Sequence, residues 1–222
     1  MVWIIGDIHG CRDELVSLVE KLPENDKLVF LGDYIDRGPD SFGVVEFLLS
    51  IQKRCEFLSG NHESMLLNFF RDKAHPESEA FVFNGGKETL GSYGLDETAV
   101  WEDLPESHRN FYNNLLDYYE GDDFIAAHAG VNVGKGVDMK KQGRQDLLWI
   151  RHEWIDNEAI WAGKTVFYGH TPSKRTGSPE HVSPVFGKKS VGLDTGCVYG
   201  GSLSAINPST MELIQIKSGV RT

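Results

Sequence analysis

The sequence predicts an α/β fold (α+β in some schemes) whose core is a sandwich of two β-sheets flanked by helices. Three observations predict it: short apolar runs that stop abruptly at Gly, Asp, His or Asn, helix-period segments between the first of these runs, and several short strand-like runs after residue 185. Strand–helix–strand alternation is typical of α/β domains, in which ligands collect at the carboxyl ends of the strands. Functional residues are therefore expected where the predicted strands end.

The first strands are predicted from five apolar runs, each of which ends at a polar residue or a glycine. These runs are residues 2–5, 28–31, 57–58, 124–127 and 166–168. Two helices are predicted between the first three strands, because apolar side chains recur there at helical spacing. Their apolar stripes consist of Leu15, Leu18, Val19 and Leu22 and of Val44, Val45, Leu48 and Leu49. Near the end of the chain, the runs separated by Gly and Asn-Pro predict an antiparallel end to a sheet. These late runs are residues 190–193, 203–206 and 213–216.

The length of the chain and the distribution of its charges indicate how many domains it has and where an insertion lies. Its 222 residues favour a single domain spanning 1–222. A helical insertion is expected within it at about 72–122, because residues 77–123 hold 12 acids and only two bases. The plainer interpretation of this segment is a solvated acidic face, and the alternative is a lid that repels acidic partners near a catalytic rim.

Composition also disfavours several classes of function. The chain carries 33 acids against 22 Lys and Arg, a net charge of −11, which argues against partners such as nucleic acid or an anionic membrane surface. No run approaches the ~20 apolar residues needed to cross a bilayer, and no secretory signal is recognisable. The three cysteines, Cys11, Cys55 and Cys197, lack metal-type spacing. These features favour a reducing, cytoplasmic setting.

Polar side chains that suit a metal follow the predicted strands. They are Asp7, His9, Asp33, Asn61, His128 and His170. This mixed oxygen and nitrogen set favours Mn²⁺, Fe or Zn²⁺ over soft metals. Six ligands are too many for one catalytic metal with an open position, but they suit two metals that share a bridging carboxylate. The remaining histidines are expected to be ordinary surface residues; they are His75, His108, His152 and His181.

Five short blocks contain these candidate ligands. They are Gly-Asp-Ile-His-Gly at 6–10, Gly-Asp-Tyr-Ile-Asp-Arg-Gly at 32–38, Gly-Asn-His-Glu at 60–63, His-Ala-Gly at 128–130 and Gly-His-Thr at 169–171. The first three look like the signature blocks of the phosphoprotein phosphatase superfamily of metallophosphoesterases, and the last two resemble its later histidine motifs. The similarity spans residue 2 to about 207, and the compact length resembles the bacterial and phage branch.

This resemblance implies a role for each matching residue. The implied ligands of one metal are Asp7, His9 and Asp33. Those of the second metal are Asp33, Asn61, His128 and His170, so that Asp33 bridges the pair. The implied general acid is His62, steered by Asp36, and the implied phosphate-binding residues are Arg37 and Arg151. The implied cofactors are two divalent ions, for which Mn²⁺ is favoured over Fe or Zn²⁺.

Elementary chemistry agrees with these roles. Hydrolysis of a phosphate monoester is very slow without catalysis, so the phosphoryl group needs strong electrostatic stabilisation. Arginine donates bidentately and stays charged, which suits the phosphate oxygens. An imidazolium beside a carboxylate is a suitable proton donor to a leaving alkoxide near neutral pH.

The function that this resemblance implies is removal of phosphate from phosphoserine and phosphothreonine in proteins and peptides, by direct attack of water activated at the metals. The main alternative is symmetrical hydrolysis of diadenosine tetraphosphate, the activity of a related branch. That branch typically lacks an aspartate matching Asp36 and has Asp where this chain has Glu63, so the protein phosphatase is favoured. A phosphodiesterase or nuclease is disfavoured by Asp36 and Arg37. A non-catalytic scaffold of the same fold predicts a broken ligand set, and none is broken.

Overall fold

The structure, a computed structural model, describes residues 1–136, 138–151, 163–173 and 183–219. Its strands are β1 (Val2–Ile5), β2 (Lys27–Phe30), β3 (Cys55–Phe57), β4 (Tyr118–Glu120), β5 (Phe124–Ala127), β6 (Thr165–Tyr168), β7 (Val185–Phe186), β8 (Ser190–Gly192), β9 (Ser202–Ile206) and β10 (Leu213–Lys217). Its helices are α1 (Arg12–Lys21), α2 (Ser41–Ile51), α3 (Asn61–Arg71), α4 (Pro76–Phe81), α5 (Lys87–Ser92), α6 (Glu106–Asn113) and α7 (Arg144–Trp149).

Two five-stranded sheets form the centre of the molecule. The first has the strand order β10-β9-β1-β2-β3 and the second β4-β5-β6-β8-β7. Strands β1, β2 and β3 run parallel in the first sheet, as do β5, β6 and β8 in the second. The antiparallel strands lie outside these parallel groups. In each sheet, the parallel strands therefore end at one common edge.

Side chains that alternate across β1 show how the two sheets pack. Ile4 lies in one buried cluster with Phe167 and Val191 of the second sheet. Its neighbours Trp3 and Ile5 point to the opposite face, where they join the cluster that contains the apolar stripe of α1. This alternation follows from the two-residue period of a strand. The predicted fold class, a two-sheet sandwich flanked by helices, is confirmed.

The two predicted helical stripes pack against the outer face of the first sheet, in the cluster that contains Trp3 and Ile5. Leu15, Leu18 and Val19 of α1 are buried, and so are most of the stripe residues of α2. The side chain of Asp40 begins α2 by accepting a hydrogen bond from the backbone N–H of Gly43 at 2.7 Å, which satisfies a donor that the helix leaves free. Local sequence therefore favours the start of α2 at this position.

The prediction for the end of the chain is wrong for one of its three runs. β8 joins the second sheet and runs parallel to β6, with Val166 opposite Ser190. β9 and β10 form the expected antiparallel pair, which is attached to β1. The physical reason is that β8 is buried at all three of its residues and lies between two strands, parallel to β6 and antiparallel to β7. A strand buried on both faces suits a parallel position.

The segment between β3 and β4 is built from helices and turns. It holds α3 to α6, and α5 and α6 pack against α2. The described part of the chain contains no helix that is both long and apolar enough to cross a membrane.

We expect Gly32→Ala to destabilise the fold more than an ordinary glycine substitution. Gly32 has a φ of 101°, and an added Cβ would lie 2.5 Å from the backbone nitrogen of Gly60. A left-handed alanine costs ~1–2 kcal/mol, and the overlap with backbone adds ~1–3 kcal/mol. The control is Gly94→Ala, because Gly94 has a φ of 69° with nothing within 4 Å of an added Cβ. Equal losses in the free energy of unfolding, measured by urea denaturation, would contradict the close approach.

Candidate dinuclear metal site

The predicted site residues follow the parallel strands of both sheets. Asp7 and His9 follow β1, Asp33 follows β2, Asn61 and His62 begin α3 after β3, His128 follows β5, and His170 follows β6. Each of these seven residues is at most 5% exposed. Because the two sheets pack face to face with these strand ends on one side, the structure brings the side chains together.

Several predicted site residues adopt a left-handed backbone conformation, which is uncommon for residues with a side chain. Six non-glycine residues in the described ranges have a positive φ, and five of them are His9 (46°), Asp33 (52°), Asp36 (73°), Arg37 (69°) and His170 (63°). Such strain persists only where the surrounding structure enforces it. Its concentration here indicates that these loops place side chains at the expense of backbone stability.

Asp33 lies at the centre of the cluster. Its Oδ2 is 3.5 Å from Nε2 of His9, and its Oδ1 is 3.4 Å from Nε2 of His128. The two carboxylate oxygens therefore face two different groups of ligand atoms. In one group the ligand atoms of His9, Asp33 and His62 lie within 4.8 Å of one another. In the other, those of Asp33, His128 and His170 do so.

The ligand atoms of the second group are arranged for a cation. Nδ1 of His128 lies 2.9 Å from the carbonyl oxygen of Leu31, and a neutral ring carries its proton there, which leaves a lone pair on Nε2. That Nε2 faces another lone-pair atom, Oδ1 of Asn61, at 2.9 Å. Nε2 of His170 and Oδ1 of Asp7 are buried without a hydrogen-bond partner. Converging lone pairs and orphaned acceptors fit divalent cations.

Asp7 stands outside both three-residue groups. Its Oδ2 accepts a hydrogen bond from the backbone N–H of His170 at 2.9 Å. Burial raises the pKa of Asp7 well above its ordinary value, and the carboxylates of Asp194 and Asp33 raise it further. A bound cation would offset both causes, so Asp7 also fits a metal site.

The pKa values separate three histidines from the fourth. Burial lowers the pKa of His9, His128 and His170, which keeps these rings neutral, as metal ligands must be. His9 also places its Nδ1 2.8 Å from the carbonyl oxygen of Ile35, which fixes the ring and leaves Nε2 as the ligand atom.

His62 behaves in the opposite way. Burial alone would lower the pKa of His62, but the carboxylates of Asp33 and Asp36 outweigh it and raise the pKa above its ordinary value. Nδ1 of His62 donates to Oδ2 of Asp36 at 2.6 Å. The ring is therefore held in place and its protonated form is favoured, as suits a proton donor.

The two predicted phosphate-binding arginines lie at the edge of the cluster. Both are half-buried. Nη1 of Arg37 is 2.7 Å from Nε2 of His9, and Nη1 of Arg151 donates to the carbonyl oxygen of His170 at 3.3 Å and to Oγ1 of Thr171 at 3.0 Å. Each guanidinium is thus beside a candidate ligand, and the phosphate-binding role remains a prediction.

Three residues support the site without having been predicted to do so. Glu63, noted above only for comparison, accepts hydrogen bonds from the backbone N–H groups of Asp33, Tyr34 and Gly60 at 2.8–2.9 Å. Thr89 of α5 donates to Oδ1 of Asp36 at 2.6 Å.

Asp194 is the third of these residues. It is buried, its carboxylate raises the pKa of Asp7, and burial raises its own pKa to about 6. Glu63 lies in the block at 60–63, and Asp194 lies between Gly192 and Gly196, so the sequence offers a signal for both. Nothing in the sequence around Thr89 indicates its role.

The prediction that His108 is a surface residue is wrong. His108 is fully buried and bridges two polar side chains: its Nδ1 lies 2.7 Å from the hydroxyl of Tyr93, and its Nε2 lies 2.6 Å from Oε1 of Glu46. It thereby connects α6 to α2, a contact between distant parts of the chain. His75 is exposed, as expected, and His152 and His181 lie outside the described residues.

Together, the two-sheet fold and the buried Asp/His cluster define a metallophosphoesterase. Residues 1–202 match the family described as calcineurin-like phosphoesterase, so the chain belongs to that family and is a phosphoesterase hydrolase. The family uses divalent metals, and the described residues contain clusters able to hold them.

Similar proteins with named activities include tetraphosphatases and a protein phosphatase. The asymmetrical bis(5'-nucleosyl)-tetraphosphatase PrpE of Anoxybacillus flavithermus is 30% identical, over 97% of this chain and 93% of that protein. A crystal structure described as a candidate diadenosine tetraphosphatase has a TM-score of 0.69 at 24% identity and covers 98% of this chain and 93% of its own. A serine/threonine phosphatase of Saccharomyces cerevisiae with similarity to human PP5 has a TM-score of 0.64 at 15% identity, covering 100% and 80%. At such identities the two solved structures show the fold alone.

Asp33→Asn is expected to abolish tight binding at both metal positions, because one carboxylate faces both groups of ligand atoms. Calorimetric titration with Mn²⁺ should give ~2 ions per wild-type chain and neither of them with high affinity in the variant. The control is Asp13→Asn, which removes an exposed carboxylate from α1. Loss of only one ion in Asp33→Asn would contradict a shared ligand.

Asp36→Asn is expected to move the basic limb of the kcat profile to lower pH. The carboxylate of Asp36 raises the pKa of His62, so its removal lowers that pKa, and the ring loses its proton at a lower pH. The measurement is kcat against pH in Mn²⁺-loaded protein, with Asp13→Asn as the control for a lost charge. An unmoved limb would show that His62 is not the group that titrates there.

Proposed function

We propose that this chain hydrolyses dinucleoside tetraphosphates asymmetrically, with two divalent metal ions, favoured as Mn²⁺, as cofactors. The observation that carries the two-metal chemistry is the position of Asp33, whose carboxylate oxygens face separate groups of ligand atoms at 3.5 and 3.4 Å. The support for the substrate comes from relatives 28–30% identical over nearly their whole length that are named asymmetrical tetraphosphatases.

The metal-binding residues in this proposal fall on either side of Asp33. One ion would be held by Asp7, His9 and Asp33. The other would be held by Asp33, Asn61, His128 and His170. Divalent cations there supply positive charge to the phosphoryl group and increase the acidity of water. Because the site residues are buried, the positive charge of bound ions would act at low dielectric, where it is strongest.

The arginines then orient the phosphoryl group. Arg37 and Arg151 approach the cluster beside His9 and His170 respectively, so each can donate to an oxygen of a phosphate seated there. The planar fork of a guanidinium fixes both the position and the rotation of such a group. A group held in this way is aligned for attack on phosphorus, and such positioning together with electrostatic stabilisation accounts for most of catalysis in phosphoryl transfer.

His62 moves the proton in this scheme. Its Nδ1 is held by Asp36, so the proton on the opposite nitrogen, Nε2, is the one available to the leaving oxygen. Nε2 lies 3.9 Å from Oδ2 of Asp33, which places it next to the first group of ligand atoms. The departing oxygen leaves as a hydroxyl instead of an anion, and the ring regains its proton from solvent between turnovers.

Phosphoserine and phosphothreonine in proteins are the second candidate substrates, and the His62–Asp36 pair favours them. An alkoxide leaving group is strongly basic and depends on a proton donor, whereas a nucleotide leaving group is weakly basic and depends on it less. A positioned imidazolium with a buried carboxylate at 2.6 Å therefore suits phosphate monoesters as well.

A side-by-side turnover assay decides between these substrates. With Mn²⁺-loaded protein and diadenosine tetraphosphate, we expect equal amounts of ATP and AMP, resolved by ion-exchange chromatography. A phosphoserine peptide at the same concentration should be hydrolysed with a lower kcat/KM. Formation of ADP alone would show symmetrical cleavage, and a preference for the peptide would assign the chain to the second candidate. Asp33→Asn is the inactive control.

A further inference from the structure

A large groove opens beside Arg37. Its volume is about 1160 Å³, and its walls come from α3, α4, α5, the turn Val82–Gly86 and Tyr199. We call it the Phe83 groove, after the most exposed aromatic residue that lines it. A single phosphoryl group needs only a small part of such a space, so the groove is large enough for the rest of a substrate.

Phe83 is held at this groove although it is 87% exposed. It belongs to the turn Val82–Gly86, which joins α4 to α5. The turn is fastened to the site through Gly85, whose carbonyl oxygen accepts a hydrogen bond from the backbone N–H of Arg37 at 3.2 Å. Gly85 has a φ of 104°, and a Cβ there would lie 2.5 Å from the nitrogen of Arg37. The backbone of the turn that carries Phe83 is therefore anchored next to Arg37.

A second aromatic ring lines the same groove. Tyr199 is 44% exposed, and the guanidinium carbon of Arg37 lies 5.8 Å from the centre of its ring. Arg37 in turn reaches His9 at 2.7 Å. Arg37, which contacts the candidate ligand His9, therefore lines the same groove as two accessible aromatic rings.

The charges in the groove indicate what kind of group fits beyond Arg37. The ammonium of Lys73 lies 3.1 Å from the centre of the Phe69 ring and donates to the carbonyl oxygen of Glu97 at 3.3 Å. Lys87 pairs with the Glu97 carboxylate at 3.0 Å. Three acids, Glu79, Glu88 and Glu97, balance Arg37, Lys73 and Lys87. This wall therefore offers little net positive charge to a second anionic group, and it suits an uncharged, planar one.

We infer that the Phe83 groove is a nucleobase subsite, in which Phe83 stacks on the base of the nucleotide whose phosphate lies at Arg37, with Tyr199 lining the same space. This inference rests on the proposed function, because the proposed substrate, a dinucleoside tetraphosphate, carries the base that would occupy the groove. Aromatic side chains stack on any base, since every base has a π-face. A peptide is less suited to the groove, because none of its described lining residues lies in a strand whose edge could pair with a peptide backbone.

The test compares two ligands that differ only in the base: adenosine 5'-monophosphate and ribose 5-phosphate. Their dissociation constants are measured by calorimetry in Mn²⁺-loaded protein, in a His62→Asn background that slows turnover. We expect the adenosine ligand to bind more tightly. Phe83→Ala should weaken it by ~10-fold and leave ribose 5-phosphate unchanged, and Phe83→Trp should restore binding. Phe186→Ala is the control, because Phe186 is also exposed (56%) but lies on β7, away from the groove.

Equal binding of the two ligands, or an equal effect of Phe83→Ala on both, would overturn the inference. So would a Phe83→Ala variant that binds a phosphoserine peptide more weakly and the adenosine ligand normally, because the groove would then be a peptide site. The proposed function fails separately, in the turnover assay: a chain that binds the base through Phe83 but leaves diadenosine tetraphosphate intact retains the subsite and loses the proposed substrate.

Discussion

The position of one carboxylate, that of Asp33, determines the arrangement of the candidate site. Its two oxygens face the ligand atoms of opposite sheets, at 3.5 Å from His9 and 3.4 Å from His128. That position depends on backbone geometry, because Asp33 has a positive φ and its N–H is held by Glu63. Two sheets that pack face to face, with short loops at the same end, are the scaffold that this arrangement requires.

Burial lowers the pKa of all four histidines around this carboxylate, but the outcome differs between them. It favours the neutral form of three rings, while two carboxylates raise the pKa of His62 in spite of it and favour its protonated form. Groups of one chemical type thus acquire two roles from their surroundings, ligand and proton donor. The left-handed backbone of five site residues also costs stability. This strain places their side chains so that lone pairs converge where a cation can bind.

Local patterns made most of the fold predictable. Apolar runs and stripes such as Leu15 to Leu22 depend on neighbours a few residues away, and the sequence displays those directly. The pairing of β8 with β6 and the burial of His108 depend on contacts between distant segments, for which the sequence contains no local signal. The same holds for Thr89, 53 residues from Asp36. The candidate ligands were predictable because strand ends are local features, whereas their ligand roles stay a prediction.

Two cations that share Asp33 are the central feature of the candidate site, and anomalous diffraction from Mn²⁺-loaded crystals tests for them most directly. At the manganese absorption edge we expect two anomalous peaks, ~3.5–4 Å apart, each in contact with an oxygen of Asp33. One peak should adjoin His9 and the other His128 and His170. A single peak at saturating Mn²⁺, or two peaks of which one does not touch Asp33, would contradict the account.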